Sequence, residues 1–163
     1  MTPQRSESGR PPSWDYLIAH HVPGRYDRTL TVSTRGRSYH FCARCTGEFF
    51  GVVAVLAGFL TFPRLGALGS TPAAEAALAL CPSAALVDWL TQTVGSRESN
   101  NPLRVASGFL LGVAVGGWVD FGVTRRWLLF DSGVAVLGLY LAIALLVLYR
   151  TGAWRRVIAE HFP

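Results

Sequence analysis

The chain has 163 residues, of which 50% are hydrophobic and only 15% charged, against about 25% charged in an average soluble domain. A soluble protein this small has too much surface to cover with so few charges, and a disordered chain does not carry so many apolar residues, so both classes are excluded. The net charge is +5, and all 15 cationic side chains are arginine. Most of them lie outside the apolar runs, as expected for segments facing anionic headgroups, so the lipid bilayer rather than nucleic acid is the expected partner.

Residues 1–13 are rich in Ser, Pro and Arg and read as a disordered tail. Residues 14–46 form a polar segment expected on the cytoplasmic side. Within it, residues 29–33 alternate polar and apolar with period two, and residues 38–41 can pair with them across Thr34-Arg35-Gly36-Arg37. A short β-hairpin results, and it runs directly into Cys42-Ala-Arg-Cys45. An isolated hairpin is marginal in water, so the membrane surface, the bundle loops or a metal has to hold it.

Four apolar runs follow, at 47–63, 73–90, 103–123 and 127–149. Spanning ~30 Å of hydrocarbon takes about 20 helical residues. The second run is the weakest, because it contains Glu75, Pro82 and Asp88; a re-entrant second segment, leaving three spans, is the alternative. In the third run Gly108, Gly112 and Gly116 recur every four residues, the small-xxx-small pattern that lets helix backbones approach, here for packing within the bundle more than for a homo-oligomer seam. Trp127 and Tyr149 bracket the last run as interfacial anchors. The expected fold is an all-α membrane protein: a four-span transmembrane helical bundle with a small N-terminal cytoplasmic β-hairpin and a C-terminal tail over 150–163. The first 46 residues are too long and too polar for a signal-peptide n-region, so the first span is expected to act as an uncleaved anchor.

Four spans put the N-terminal segment, the 91–104 loop and the C-terminal tail on one side, with twelve arginines against three (Arg64, Arg125 and Arg126) on the other. The positive-inside rule then predicts a multi-pass protein of the cell membrane with both termini cytoplasmic. That topology brings Cys42, Arg44 and Cys45, just before the first span, to the same membrane face as Asp88, Gln92, Arg97, Ser99, Asn101 and Arg104. An ionisable residue within a span points to function by default, and Asp88 has Arg97, Arg104 and Arg44 as candidate partners. Arginines beside a helix N-terminus suit a phosphate, on a lipid or a small molecule.

Cys42 and Cys45 form one C-x-x-C, which is half of a four-ligand zinc site. His20, His21 and His40 are available to complete it, with His20 and His40 the expected ligands. The rival use of Cys45 is as a thiolate nucleophile, activated by Arg44 and a helix N-terminus, with Asp88 and Arg104 as its catalytic neighbours.

Cys42-Ala-Arg-Cys-Thr-Gly47 before an apolar helix, then Asp88-Trp-Leu-Thr-Gln92 and Arg97-Glu-Ser-Asn-Asn-Pro-Leu-Arg104 before a Gly-rich helix, resemble a domain-of-unknown-function family of small predicted membrane proteins of archaea and bacteria. Members of that family carry a Cys-His-Gln element upstream, where this chain reads Ala19-His20-His21, so the upstream Cys is replaced while His20 remains. The resemblance covers about residues 19–120 and implies a membrane location and a shared polar site, but no particular reaction. Cys45-Thr46-Gly47 and Asn101-Pro-Leu-Arg104 are also similar to the membrane-boundary motifs of archaeosortases and exosortases. That likeness implies a cysteine transpeptidase in which Cys45 attacks a peptide carbonyl and Arg104 steadies the oxyanion. A non-catalytic scaffold or assembly subunit, its polar cluster merely pinning helices together, is the further alternative.

Overall fold

The computed structural model describes residues 27–34, 37–62, 71–95 and 97–161. The tail over 1–13, His20 and His21 lie outside the described residues. Strands β1 (Thr29–Thr34) and β2 (Arg37–Cys42) pair antiparallel, in register from Thr29 opposite Cys42 to Thr34 opposite Arg37. Their Thr, Val, Tyr and Phe residues suit a pleated ribbon, and cross-strand side chains add to it: Ser33 and Ser38 hydroxyls meet at 3.0 Å, and Thr31 Oγ1 meets His40 Nδ1 at 3.0 Å.

Helix α1 (Ala43–Thr61) starts directly from β2. It begins four residues before the expected span, because the apolar run starts only at Gly47 whereas the backbone turns helical at once after Cys42, whose carbonyl accepts from Thr46 Oγ1 at 2.9 Å. Helix α2 (Pro72–Val94) is opened by Thr71, whose hydroxyl accepts from the Ala74 N–H at 3.3 Å, with Pro72 in the first turn and Glu75 at the positive end of the helix dipole. It runs unbroken through Pro82. A proline has no N–H to give the preceding turn, and nearby side chains bond that stretch of backbone: the Tyr140 hydroxyl donates to the Ala79 carbonyl at 3.0 Å, and Ser83 Oγ donates to the Leu80 carbonyl at 2.6 Å. The second run is thus a continuous helix of about 34 Å by its rise per residue, long enough to cross a membrane and without the break of a re-entrant loop.

Helix α3 (Asn101–Val123) is capped by Asn100, whose side chain accepts from the Leu103 N–H at 2.9 Å. Helix α4 (Trp127–Thr151) ends at Gly152, whose φ of 68° is the left-handed conformation that glycine adopts freely. A short helix α5 (Trp154–His161) follows within the C-terminal tail. Four helices, α1 to α4, are long and apolar enough to cross a membrane.

The bundle is organised around α3. A Cβ at Gly108 or Gly112 would strike the Arg44 or Glu48 carbonyl of α1, and one at Gly47 or Gly51 would strike the Val105 or Phe109 carbonyl of α3. The early residues of each helix face the early residues of the other, so α1 and α3 run parallel in backbone-to-backbone contact. Further along α3, Ala114, Trp118 and Phe121 form the buried core, with Leu78 and Cys81 of α2 and Phe130 of α4 against it. Gly117 of α3 makes room for Leu78, and Gly133 of α4 for the Trp118 ring. Leu78 lies early in α2 and Gly117 late in α3, so α2 runs antiparallel to both α1 and α3. The last turns of α2 therefore meet the first turns of α1 and α3 at one end of the bundle.

Candidate functional site

Those three helix ends carry the polar residues. Asp88, only 4% exposed, projects from the late part of α2 between two guanidinium groups. Arg44, in the first turn of α1, donates through Nη2 to Asp88 Oδ2 at 2.5 Å, and Arg97, just beyond α2, brings Nη2 to 3.7 Å from Oδ1. Arg97 also donates to Thr91 Oγ1 at 3.3 Å and is half exposed. One carboxylate thus faces two cations at a helix end, where water is scarce and an unpaired charge is costly.

The backbone carbonyl of Asp88 carries the network further. It accepts from Gln92 Nε2 at 2.7 Å and from Thr91 Oγ1 at 3.1 Å. Gln92 Oε1 in turn accepts from Arg104 Nη2 at 3.0 Å and Nε at 3.4 Å. With a carbonyl on one side and an arginine on the other, only one orientation of the Gln92 amide satisfies both. Arg104, 5% exposed, also donates through Nη1 to Asn101 Oδ1 at 3.4 Å, and Asn101 Nδ2 donates to the Thr29 carbonyl at 3.0 Å. A single chain of contacts therefore runs from the hairpin through Asn101, Arg104, Gln92 and Asp88 to Arg44, tying β1, α3, α2 and α1 together. Asn101 ties β1 to the start of α3.

Several expected residues meet here and others do not. Arg44 and Arg97 are the partners of Asp88; Arg104 serves Gln92 and Asn101 instead. Ser99 is buried, but its hydroxyl turns to the Asn100 carbonyl at 3.4 Å. Cys42 is buried at the junction of β2 and α1, and Cys45 is exposed one turn on. The His40 ring leans on Thr31 and Thr29 across the hairpin. Among the described residues no group of three or more His, Cys, Asp or Glu side chains is placed to hold a metal, and His20 lies outside them. Two more charged residues belong to this region: Asp27 and Arg28, just before β1, are with Arg44 and Asp88 the charges acting on the Arg104 guanidinium.

Residues 25–117 match the family model described as a predicted membrane protein, DUF2085. The chain belongs to that family. The matched stretch takes in the hairpin, α1, α2 and most of α3, hence every member of the polar network of this DUF2085 protein, and it stops short of α4. An uncharacterized protein of Methanothermobacter thermautotrophicus is 32% identical over 98 residues, which are 60% of this chain and 80% of that protein. The uncharacterized protein MJ1492 of Methanocaldococcus jannaschii is 35% identical over 102 residues, 61% of this chain, and the match spans only 59% of that relative's length. No solved structure matches the DUF2085 chain.

Proposed function

We propose that this DUF2085 protein uses the arginine cluster at the cytoplasmic membrane boundary to bind a phosphate-bearing ligand, a lipid headgroup or a small phosphorylated molecule. The observation that supports this reading is the imbalance of charge. Four arginines (Arg28, Arg44, Arg97 and Arg104) gather with three acids (Asp27, Asp88 and, one turn after Arg44, Glu48), at a point where two helix N-termini add their own positive ends. Arg44 carries the unused capacity. A guanidinium has five N–H donors, and among the described residues Arg44 commits one hydrogen bond, to Asp88, while its buried Nε has no hydrogen-bond partner. The arginine count across the spans supports the cytoplasmic side.

Binding of phosphatidic acid and of inorganic pyrophosphate to the purified full chain in detergent, with phosphatidylcholine as the neutral control, tests this directly. Losing one charge-assisted hydrogen bond removes about 1.5–3 kcal/mol, so Arg44→Gln is expected to weaken binding roughly ten- to a hundredfold. Arg125→Gln, at the other end of the bundle, is expected to leave it unchanged. Equal losses in both variants, or no preference over phosphatidylcholine, would contradict the reading.

The second reading is the scaffold, favoured by Arg104, which directs three hydrogen bonds to protein groups. Under it the cluster joins four elements and takes no ligand, and Arg44→Gln lowers stability with no binding to lose.

A further inference from the structure

The apolar surface of the chain continues past the last span. Gly133, early in α4, makes room for Trp118, late in α3, so α4 runs antiparallel to α3 and its last turn reaches the end of the bundle where α3 begins. That turn exposes Tyr149, an aromatic of the kind that sits at headgroup level, and Arg150 beside it. Gly152, left-handed at φ 68°, then stops the helix, and α5 starts at Trp154. By helical spacing Trp154, Val157 and Ile158 share one face of α5, while Arg155 and Arg156 fall outside it. Trp154, Ile158 and both arginines are exposed, so the bundle leaves this apolar face uncovered. The Arg155 guanidinium stands 5.5 Å from the centre of the Trp154 ring, within reach of a cation–π contact. Residues 150–163 hold three arginines (Arg150, Arg155 and Arg156) against one acid, Glu160.

From this juxtaposition we propose that α5 docks on the anionic phospholipid headgroups of the leaflet in which α4 ends, with Trp154, Val157 and Ile158 turned into the lipid. A helix of 8 residues cannot hold itself in water, where isolated helices below about 12–15 residues are marginal. Lipid is its necessary neighbour, because only Gly152 and Ala153 separate α5 from a helix long and apolar enough to span. Gly152 breaks the helix so that α5 can leave the axis of α4, and Ala153 is fully buried, so the turn is held while the face beyond it stays open. A helix with one apolar face and arginines beside it lies in the plane of the interface. The two parts act differently. The apolar side chains favour any bilayer, and the arginines select one of negative charge. The inference stands apart from the phosphate reading, because it uses α5 and none of Arg28, Arg44, Arg97 or Arg104.

The test is amide hydrogen exchange of the full chain in nanodiscs that hold one chain each, made of phosphatidylcholine alone or of an equal mixture with phosphatidylglycerol. Each arginine at an anionic surface favours the docked state by about fivefold, so the amides over 155–160 are expected to exchange roughly tenfold or more slowly in the mixed discs than in the neutral ones. The double variant Arg155→Gln with Arg156→Gln is expected to remove that difference. Ile158→Ser is expected to speed exchange of the same amides in both kinds of disc. Arg44→Gln is expected to leave the difference intact, which separates this proposal from the phosphate reading. Exchange across α3 reports that each variant keeps the fold; if one does not, the comparison of the two discs with the unmodified chain still decides. Equal protection in both discs, as when the bundle covers the face, no protection in either, a slowing that survives in the double variant, or protection only in discs that hold two chains, as when a second copy covers the face, would each overturn the proposal.

Discussion

Gly108→Leu is expected to cost about 3 kcal/mol or more of stability, the upper end of overpacking effects, read as a fall of roughly 6–12 °C in the melting temperature in detergent. A Cβ at Gly108 would meet the Arg44 carbonyl oxygen closer than a Cβ can come. The obstacle is backbone, so it cannot rotate away, and the whole of α1 has to move. The first turn of α1 carries Arg44, so the same displacement draws the guanidinium away from Asp88, and the helix seam and the ion pair fail together. Gly138 is the control. Nothing lies within 4 Å of its would-be Cβ, and Gly138→Leu is expected to change stability by no more than about 0.5 kcal/mol. Similar melting of the two variants would mean that α1 and α3 are not in close contact.

Asp88→Asn carries the second large effect. The amide keeps the shape of the carboxylate but leaves Arg44 and Arg97 facing a neutral group in a buried position. Breaking a buried pair from one side typically costs about 3–5 kcal/mol, because the remaining charge is uncompensated. Removing the charge of Arg44 as well relieves that penalty, so the double variant Arg44→Gln with Asp88→Asn is expected to be more stable than the sum of the single losses predicts, by roughly 0.5–3 kcal/mol. Arg97→Gln, removing a half-exposed partner at 3.7 Å, is expected to cost less than about 1 kcal/mol. The ligand readout separates the two functional readings. With its carboxylate neutralised, a phosphate site binds its anion more tightly in whatever fraction remains folded, whereas a scaffold shows only the loss of stability. Additive single and double variants would mean that Arg44 and Asp88 do not interact.

Much of this architecture is legible in the residues. Runs of apolar side chains mark four spans because lipid tolerates little else, and period-two alternation marks the hairpin because a strand turns every second residue to one face. Gly108, Gly112 and Gly116 announce a close helix approach on one side. The complementary pair Gly47 and Gly51 was equally visible, but the partner of a glycine stripe is decided by packing and not by either stripe alone. Asp88 and Gln92 share a helix face by their spacing, as do Asn101 and Arg104, and both pairs take part in the network. What the sequence did not fix was the pairing of arginines with acceptors. Arg104 was a candidate for Asp88, yet its place on α3 brings it to Gln92, while Arg44 reaches Asp88 from α1. Such choices depend on differences of a few ångströms between helix axes. The Thr29 carbonyl as an anchor for Asn101 left no signal at all, since every residue has a carbonyl.

The most direct test of the shared membrane face is sidedness labelling in sealed vesicles with a membrane-impermeant maleimide. It uses single-cysteine chains: Cys45 alone, or Glu98→Cys or Arg125→Cys in a cysteine-free background. Cys45 and Glu98→Cys are expected to react from the same side, and Arg125→Cys from the other. Labelling of Cys45 and Glu98→Cys from opposite sides would contradict the meeting of the α1, α2 and α3 ends on which the site depends.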